Sequence, residues 1–374
     1  MHASSVTSAA ETRVVAVTRP LRVFAWLSFL AEVIIIGTGG AVRLTGSGLG
    51  CSDWPLCTPE SLIPLPEQGI HGIIEFGNRT MTGVVGLVAL AVVLLTVHAV
   101  GGRSLVFRAL WFALGGVVLA VAVYAIAAGA GVVYSAALMS AALLISVLAG
   151  AIDSLRRTAR RRDLALLAWI TLAGVMAQAV VGGFAVLTEL NAFIVGFHYA
   201  SSLLLVCVTA AFLVRMNATP GPRKAAVPRW FAVLTHVTGL ALALTILFGV
   251  LTTGSGPHSG DANIQRNGFD ATWLAHVHSW PGYLLAALIV VLLISAFVLR
   301  LPPRNWLIVL AAAVLVQVLV GVLQARHGLP PVLVGIHMML ASLSAAAYTV
   351  VVLKLKRPAS AYETPTLAEH AGHA

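Results

Sequence analysis

QAVVGGFAVLTELNAFIVGFH, residues 178–198, recurs as QVLVGVLQARHGLPPVLVGIH, residues 317–337, at a constant offset of 139. In both copies an apolar run carrying Gln gives way to a short polar turn, and a second apolar run carries His 20 residues later. A second match joins Thr45-Gly-Ser-Gly48 to Thr253-Gly-Ser-Gly256, and the apolar run after each carries Asn78 in the first copy and His278 in the second. The repeating unit is therefore four helices, used twice. The offset is 200 to 208 for the first helix pair and 139 for the second, so about 61 to 69 residues are extra in the first copy. That is the length of a two-helix hairpin, assigned to residues 105–153.

Across all 374 residues, 59% are hydrophobic and 10% charged, with mean hydropathy +0.96. A water-soluble domain carries roughly 25% charged residues, so the composition demands a bilayer. Apolar runs of about 20 residues bounded by charges or turns predict ten spanning helices, at 22–42, 75–100, 105–128, 133–153, 163–187, 191–215, 229–252, 271–299, 304–326 and 331–354. The fold class is all-α: a polytopic membrane protein of two four-helix bundles with an inserted hairpin. An even number of spans separates the copies, so both halves keep one orientation and are related by an axis along the membrane normal. The domains read as a tail over 1–21, an N-terminal half over 22–215, a linker over 216–228, a C-terminal half over 229–354 and a tail over 355–374.

Charge sets the direction. With the N-terminus inside, 19 of the 23 Lys and Arg fall in cytoplasmic segments, and only Arg43, Arg79, Arg266 and Arg326 lie toward the outside. Both termini are then cytoplasmic. The net charge of +10 would suggest nucleic acid in a soluble protein. Here even the densest run, RRTARRRD at 156–163, is explained as a topogenic loop, and no nucleic-acid partner is expected.

Ionisable side chains inside spans are costly and mark function by default. His198 and His337 lie about seven residues into helices that start outside, and His278 lies at the same depth, roughly 10 Å from the outer boundary. A lone intramembrane His more often serves helix packing, but recurrence at one register in both halves favours ligation. His278 and His337 could hold one iron from both faces, while His276, about 200° around the helix from His278, ranks second. In the first half His198 faces Asn78, a poor iron ligand, and one-sided ligation suits a substrate better than a permanent electron carrier. Glu75 lies one turn before Asn78 on the same face, with Arg79 beside it to pair with it or with an anionic ligand. Cys51 and Cys57 sit in the first outer loop, where a disulfide can form. His71, the other outer-loop histidines His258 and His327, and the mid-span Cys207 carry less weight.

The motifs TGSGLGCSDWPLC at 45–57, EFGNR at 75–79, AQAVVGGFAVL at 177–187, NAFIVGFHYASSL at 191–203, HVHS at 276–279, and VQVLVG with GIHMML over 316–340 together resemble the haem A synthase family. The resemblance covers roughly residues 22–354 apart from the hairpin. It implies that His278 and His337 bind a haem b cofactor and that His198, with Asn78 and Arg79 nearby, holds haem O as substrate. It implies that Glu75 is catalytic and that Cys51 and Cys57 form a redox-sensitive disulfide above the substrate. It also implies oxidation of the C8 methyl of haem O to a formyl group, with water as oxygen source and a haem O synthase as supplier; the electron acceptor stays open, a quinone being one candidate. A homo-oligomer is compatible with all of this.

Four features depart from the family pattern. Asn78 stands where many members have His, Ser279 where an Arg often follows, and Pro257-His-Ser where some relatives have a second cysteine pair. Ten spans replace the usual eight. Two competing readings are an electron-transferring dihaem cytochrome b, which leaves Asn78 beside Glu75 unexplained, and a transporter, which leaves the equal depth of the histidines unexplained.

Overall fold

The structure, a computed structural model, describes residues 17–158, 160–261, 264, 266 and 268–359. The expected tails at 1–16 and 360–374 lie outside the described residues. The described helices are α1 (Arg19–Leu44), α2 (Gly69–Ala127), α3 (Val132–Arg157), α4 (Arg162–Leu187), α5 (Ala192–Met216), α6 (Arg229–Ser255), α7 (Ala271–Val298), α8 (Arg304–Arg326) and α9 (Pro331–Leu353). The chain is an all-α polytopic membrane protein, with nine helices long and apolar enough to cross a bilayer among the described residues.

Ten expected spans become nine helices because α2 carries two. Its 59 residues divide at Gly102 into arms of about 50 Å and about 38 Å, each long enough for one bilayer core. It is broken at Gly102, whose φ of 75° and ψ of −169° lie in a region open essentially to glycine alone. The two spans meet at a kink of one residue where a loop was expected. Gly102→Ala is expected to cost about 1–3 kcal/mol, read as a lower half-unfolding temperature in detergent with unchanged helix content.

The helix starts follow local chemistry. Thr18 caps α1 by accepting from the Leu21 amide at 3.4 Å, Asn191 caps α5 by accepting from Phe193 and Ile194, and Asp270 caps α7 by accepting from Trp273 at 2.6 Å. Each cap satisfies amides that the helix itself leaves without acceptors.

In the first half α1 packs on α2, α2 on α4, α4 on α5 and α5 on α1, closing a ring of four. In the second half α6, α7, α8 and α9 close the same ring in the same order. The rings meet through α5 against α9, α1 against α9 and α5 against α6, the pairing that a two-fold relation between the halves requires. Tyr199 Oη donates to the carbonyl of Met338 at 2.9 Å, so equivalent positions of the 139-residue repeat touch across that axis. Val33, Ile36, Leu203, Val206, Ala210 and Ala346 form the apolar core between the rings. Facing away from it, Trp111 at 75% and Ile126 at 85% exposure fit lipid contact.

The second arm of α2 and α3 form the inserted hairpin beside α4. Asp153 clips its base, accepting from Arg108 at 2.7 and 2.8 Å and from Arg157 at 2.9 Å. At the same end the linker supplies β1 (Arg223–Ala225), which pairs antiparallel with β2 (Lys356–Pro358) and so ties the linker to the chain after α9. The apolar periodicity carried no sign of this pairing.

Candidate functional site

The second ring brings His278 of α7 and His337 of α9 next to each other, edge to face, with ring centroids 6.1 Å apart and planes at 79°. Two imidazoles that each bond one metal ion at about 2 Å, through a nitrogen about 1 Å from the ring centre, stand about 6 Å apart. His278 Nδ1 donates to the Thr245 carbonyl at 2.8 Å, which fixes the tautomer and leaves Nε2 its lone pair. His337 Nδ1 is buried without a partner. Glycines make room for both rings: a Cβ on Gly249 would meet His278 Cε1 at 2.8 Å, and one on Gly321 would meet His337 Cε1 at 3.1 Å. Gln317 Nε2 donates to the His337 carbonyl at 3.0 Å and pins α9 to α8. The arrangement offers two imidazoles at a spacing that suits one metal ion between them, and among the described residues no group of three or more His, Cys, Asp or Glu forms a metal site. A metal held by only two side chains needs its remaining ligands from elsewhere, as iron in a porphyrin has them.

The first ring repeats this plan with different side chains. His198 of α5 and Asn78 of α2 line one cavity of about 120 Å³, together with Glu32, Gly39 and Arg43 of α1 and Gln178 of α4. Gly182, at the repeat position of Gly321, lies against His198, and Gly39 lies against Asn78. Gln178 Nε2 donates to Ser201 Oγ at 2.6 Å and its Oε1 accepts from Ser202 Oγ at 3.3 Å, so the repeated Gln again ties its helix to the His-bearing one. Asn78 Oδ1 accepts from Thr38 at 2.8 Å, while His198 Nδ1 is buried without a partner.

Glu75 is 4% exposed and faces the 45–57 loop. Its Oε2 accepts from the Cys51 amide at 2.7 Å and its Oε1 from Arg79 Nε at 3.2 Å. Arg79 also donates to the carbonyls of Asp53 and Leu56, each at 2.8 Å, and of Cys51 at 3.2 Å. Cys51 and Cys57 are disulfide-bonded and fully buried. Trp54, inside this small ring, rests on Gly183 of α4, where any Cβ would collide with its indole. Glu75, Arg79 and both cysteines thus form one unit that closes this end of the first ring, while Glu75 itself is not among the cavity-lining residues. Unreduced protein is expected to show one reactive thiol, Cys207, and three after reduction; three before reduction would exclude the bond.

The other histidines separate from the site. His276 is exposed and bonds its own helix at the Thr272 carbonyl, which leaves His278 as the partner of His337. His71 bonds Ser47, and His258 bonds the Leu329 carbonyl. Arg43 donates to the carbonyls of His258 at 2.6 Å and Thr253 at 3.0 Å, joining the repeated Thr-Gly-Ser-Gly turns of the two halves.

The family described as cytochrome oxidase assembly protein matches residues 22–137. The heme A synthase of Exiguobacterium sibiricum is 41% identical over 86 residues, covering 23% of this chain and 28% of that protein. The heme A synthase of Halalkalibacterium halodurans is 39% identical over 69 residues, covering 18% and 22%. Over these matched residues the chain is similar to haem A synthases. The chain thus matches less than a third of the length of these haem A synthases. A protoheme IX farnesyltransferase of Thermus thermophilus also matches, 39% identical over 77 residues, covering 20% of this chain and 12% of that protein.

Sequence reasoning missed the glycines that seat the rings, although Gly182 and Gly321 stood in the repeated motif. It missed Thr245 as well, because a backbone carbonyl leaves no signal in sequence. Glu32 escaped too, though a lone carboxylate in the middle of an apolar run was a legible sign.

Proposed function

We propose that the protein is a haem A synthase that oxidises the C8 methyl of haem O to a formyl group for cytochrome oxidase. The observation that carries this reading is the asymmetry of the two rings. One presents two adjacent histidines, and the other presents a single histidine with asparagine in the equivalent place, beside a cavity. The first arrangement suits a permanently held haem b and the second a haem that must enter and leave. Haem b, held by His278 and His337, would supply reversible one-electron transfer.

The methyl group gains one oxygen from water and releases four protons and four electrons, by way of a hydroxymethyl stage. His198 binds one face of the substrate iron, and Asn78, a poor ligand, leaves the other face open. Glu75, one helical turn before the cavity-lining Asn78, is assigned the proton-accepting role in the oxidation, with Arg79 and the Cys51 amide holding its carboxylate in place. The disulfide loop, with Trp54 against Gly183, closes this end of the bundle against water. The distribution of Lys and Arg puts this end outside and both termini in the cytoplasm. The farnesyltransferase-like relative fits a haem O synthase as the source of substrate, and a quinone suits the electrons.

The test is expression in cells that make haem O but no haem A, followed by pigment extraction. Accumulation of hydroxylated haem O and haem A is expected. Haem b alone under every condition would overturn the reading in favour of an electron-transferring dihaem cytochrome b.

A further inference from the structure

Of the polar side chains that line the first-half cavity, two carry a buried atom with no hydrogen-bond partner: His198, at Nδ1, and Glu32, at Oε1. The others are engaged within the protein: Arg43 with the His258 and Thr253 carbonyls, Gln178 with Ser201 and Ser202, Tyr199 with Met338, and Asn78 with Thr38. Glu32 is 2% exposed, and a buried carboxyl oxygen left unpaired costs several kcal/mol unless something that binds there satisfies it.

Its place on α1 narrows what that ligand is. Glu32 lies seven residues, two helical turns or about 10 Å, from Gly39, which faces Asn78. It is therefore on the same face of α1, deeper in the bundle than the Asn78 and His198 level, among apolar liners Ile35, Ile36 and Leu205. The second half has no counterpart: Thr45 and Thr253 set the offset of α6 from α1 at 208, and Gly39 against Asn78 and Gly249 against His278 set it at 210, which places Leu240, Ala241 and Leu242 at this position. The carboxyl thus belongs only to the ring with a single histidine, so the haem it meets differs from the other by a polar group on its inward edge.

We propose that Glu32 recognises the hydroxyl of the hydroxyethylfarnesyl side chain of haem O, and that this contact distinguishes haem O from haem b. This rests on the proposed function. A porphyrin turns its two propionates toward the wet end of the bundle and its opposite edge toward the bilayer centre. In haem O that inward edge carries an apolar farnesyl chain with one hydroxyl on the first carbon outside the macrocycle. Haem b has a vinyl group there and nothing to offer a carboxyl. A site built to bond a hydroxyl rejects the analogue that lacks it, because the buried partner is then left unpaired.

The experiment titrates haem O and haem b into the purified full-length protein with its second-half haem in place, for wild type, Glu32→Leu and Glu32→Gln. Wild type is expected to prefer haem O about tenfold. Leu is expected to lose that preference by weakening haem O alone, and Gln, which still bonds a hydroxyl, to keep most of it. An unchanged low-spin spectrum from the second half reports an intact fold. A preference that persists in Leu, or equal weakening of both haems, overturns the assignment while leaving haem A synthesis standing. Wild type that binds no haem O overturns both.

Discussion

His337→Ala and His278→Ala are each expected to abolish the low-spin b-type absorbance, with the bound haem either lost or converted to a high-spin form. On the proposed function each variant leaves one imidazole where the 6.1 Å spacing of the rings suits two on one iron. The effect is close to all-or-none, because a single imidazole cannot set the low-spin state alone. The two differ in detail. His278 is oriented through the Thr245 carbonyl, so replacing it also frees a carbonyl on α6, whereas His337 has no such partner on Nδ1. Gly249→Val tests the geometry without touching a ligand. Its side chain would enter the space of His278 Cε1 and is expected to tilt the ring and weaken the same signal. Spectra recorded beside a haemochrome assay separate loss of haem from change of ligation. Full retention of the low-spin signal in both His→Ala variants would refute the placement.

Glu75→Gln is expected to keep haem content and fold but to lower conversion of haem O by about a hundredfold or more. The amide still accepts from the Cys51 N–H, and Arg79 keeps its three loop carbonyls, so the disulfide loop stays in place while the proton acceptor is gone. Glu75→Ala goes further. It leaves Arg79 without its carboxylate in a part-buried site, a loss of about 3–5 kcal/mol for a buried pair, read as a lower unfolding temperature and a more reducible disulfide. Comparing the two separates chemistry from support of the loop. A Gln variant that converts haem O at the wild-type rate would confine Glu75 to a structural part.

The fold is largely legible in the sequence, because its determinants are local and repetitive. Apolar runs with bounding charges mark spans, and the recurrence of Gln, Val-Gly and His at the same spacing from Gln178 to His198 and from Gln317 to His337 marks a four-helix unit. The break at Gly102 was less legible, since one glycine with positive φ does what a loop does elsewhere. The histidine pair was readable from depth alone, but the choice of His278 over His276 needed the packing of α7 against α9's ring partner helices, which fixes the rotation of α7. Glu75 was singled out for its scarcity, yet its partners come from a loop 24 residues earlier in the chain, and no spacing rule predicts which carbonyls a guanidinium will find.

By itself the sequence determined the bilayer as solvent, the duplication, the inserted hairpin and the depth of the histidines, because hydrophobic length and repeat period are properties of neighbouring residues. Only the tertiary structure decided that each His or Asn of the rings has a glycine set against it, that Glu75 and Arg79 serve the disulfide loop, and that Glu32 shares a cavity with His198. Those are through-space facts. They depend on how helices rotate and cross within two closed rings, and that is settled by packing between segments far apart in the chain.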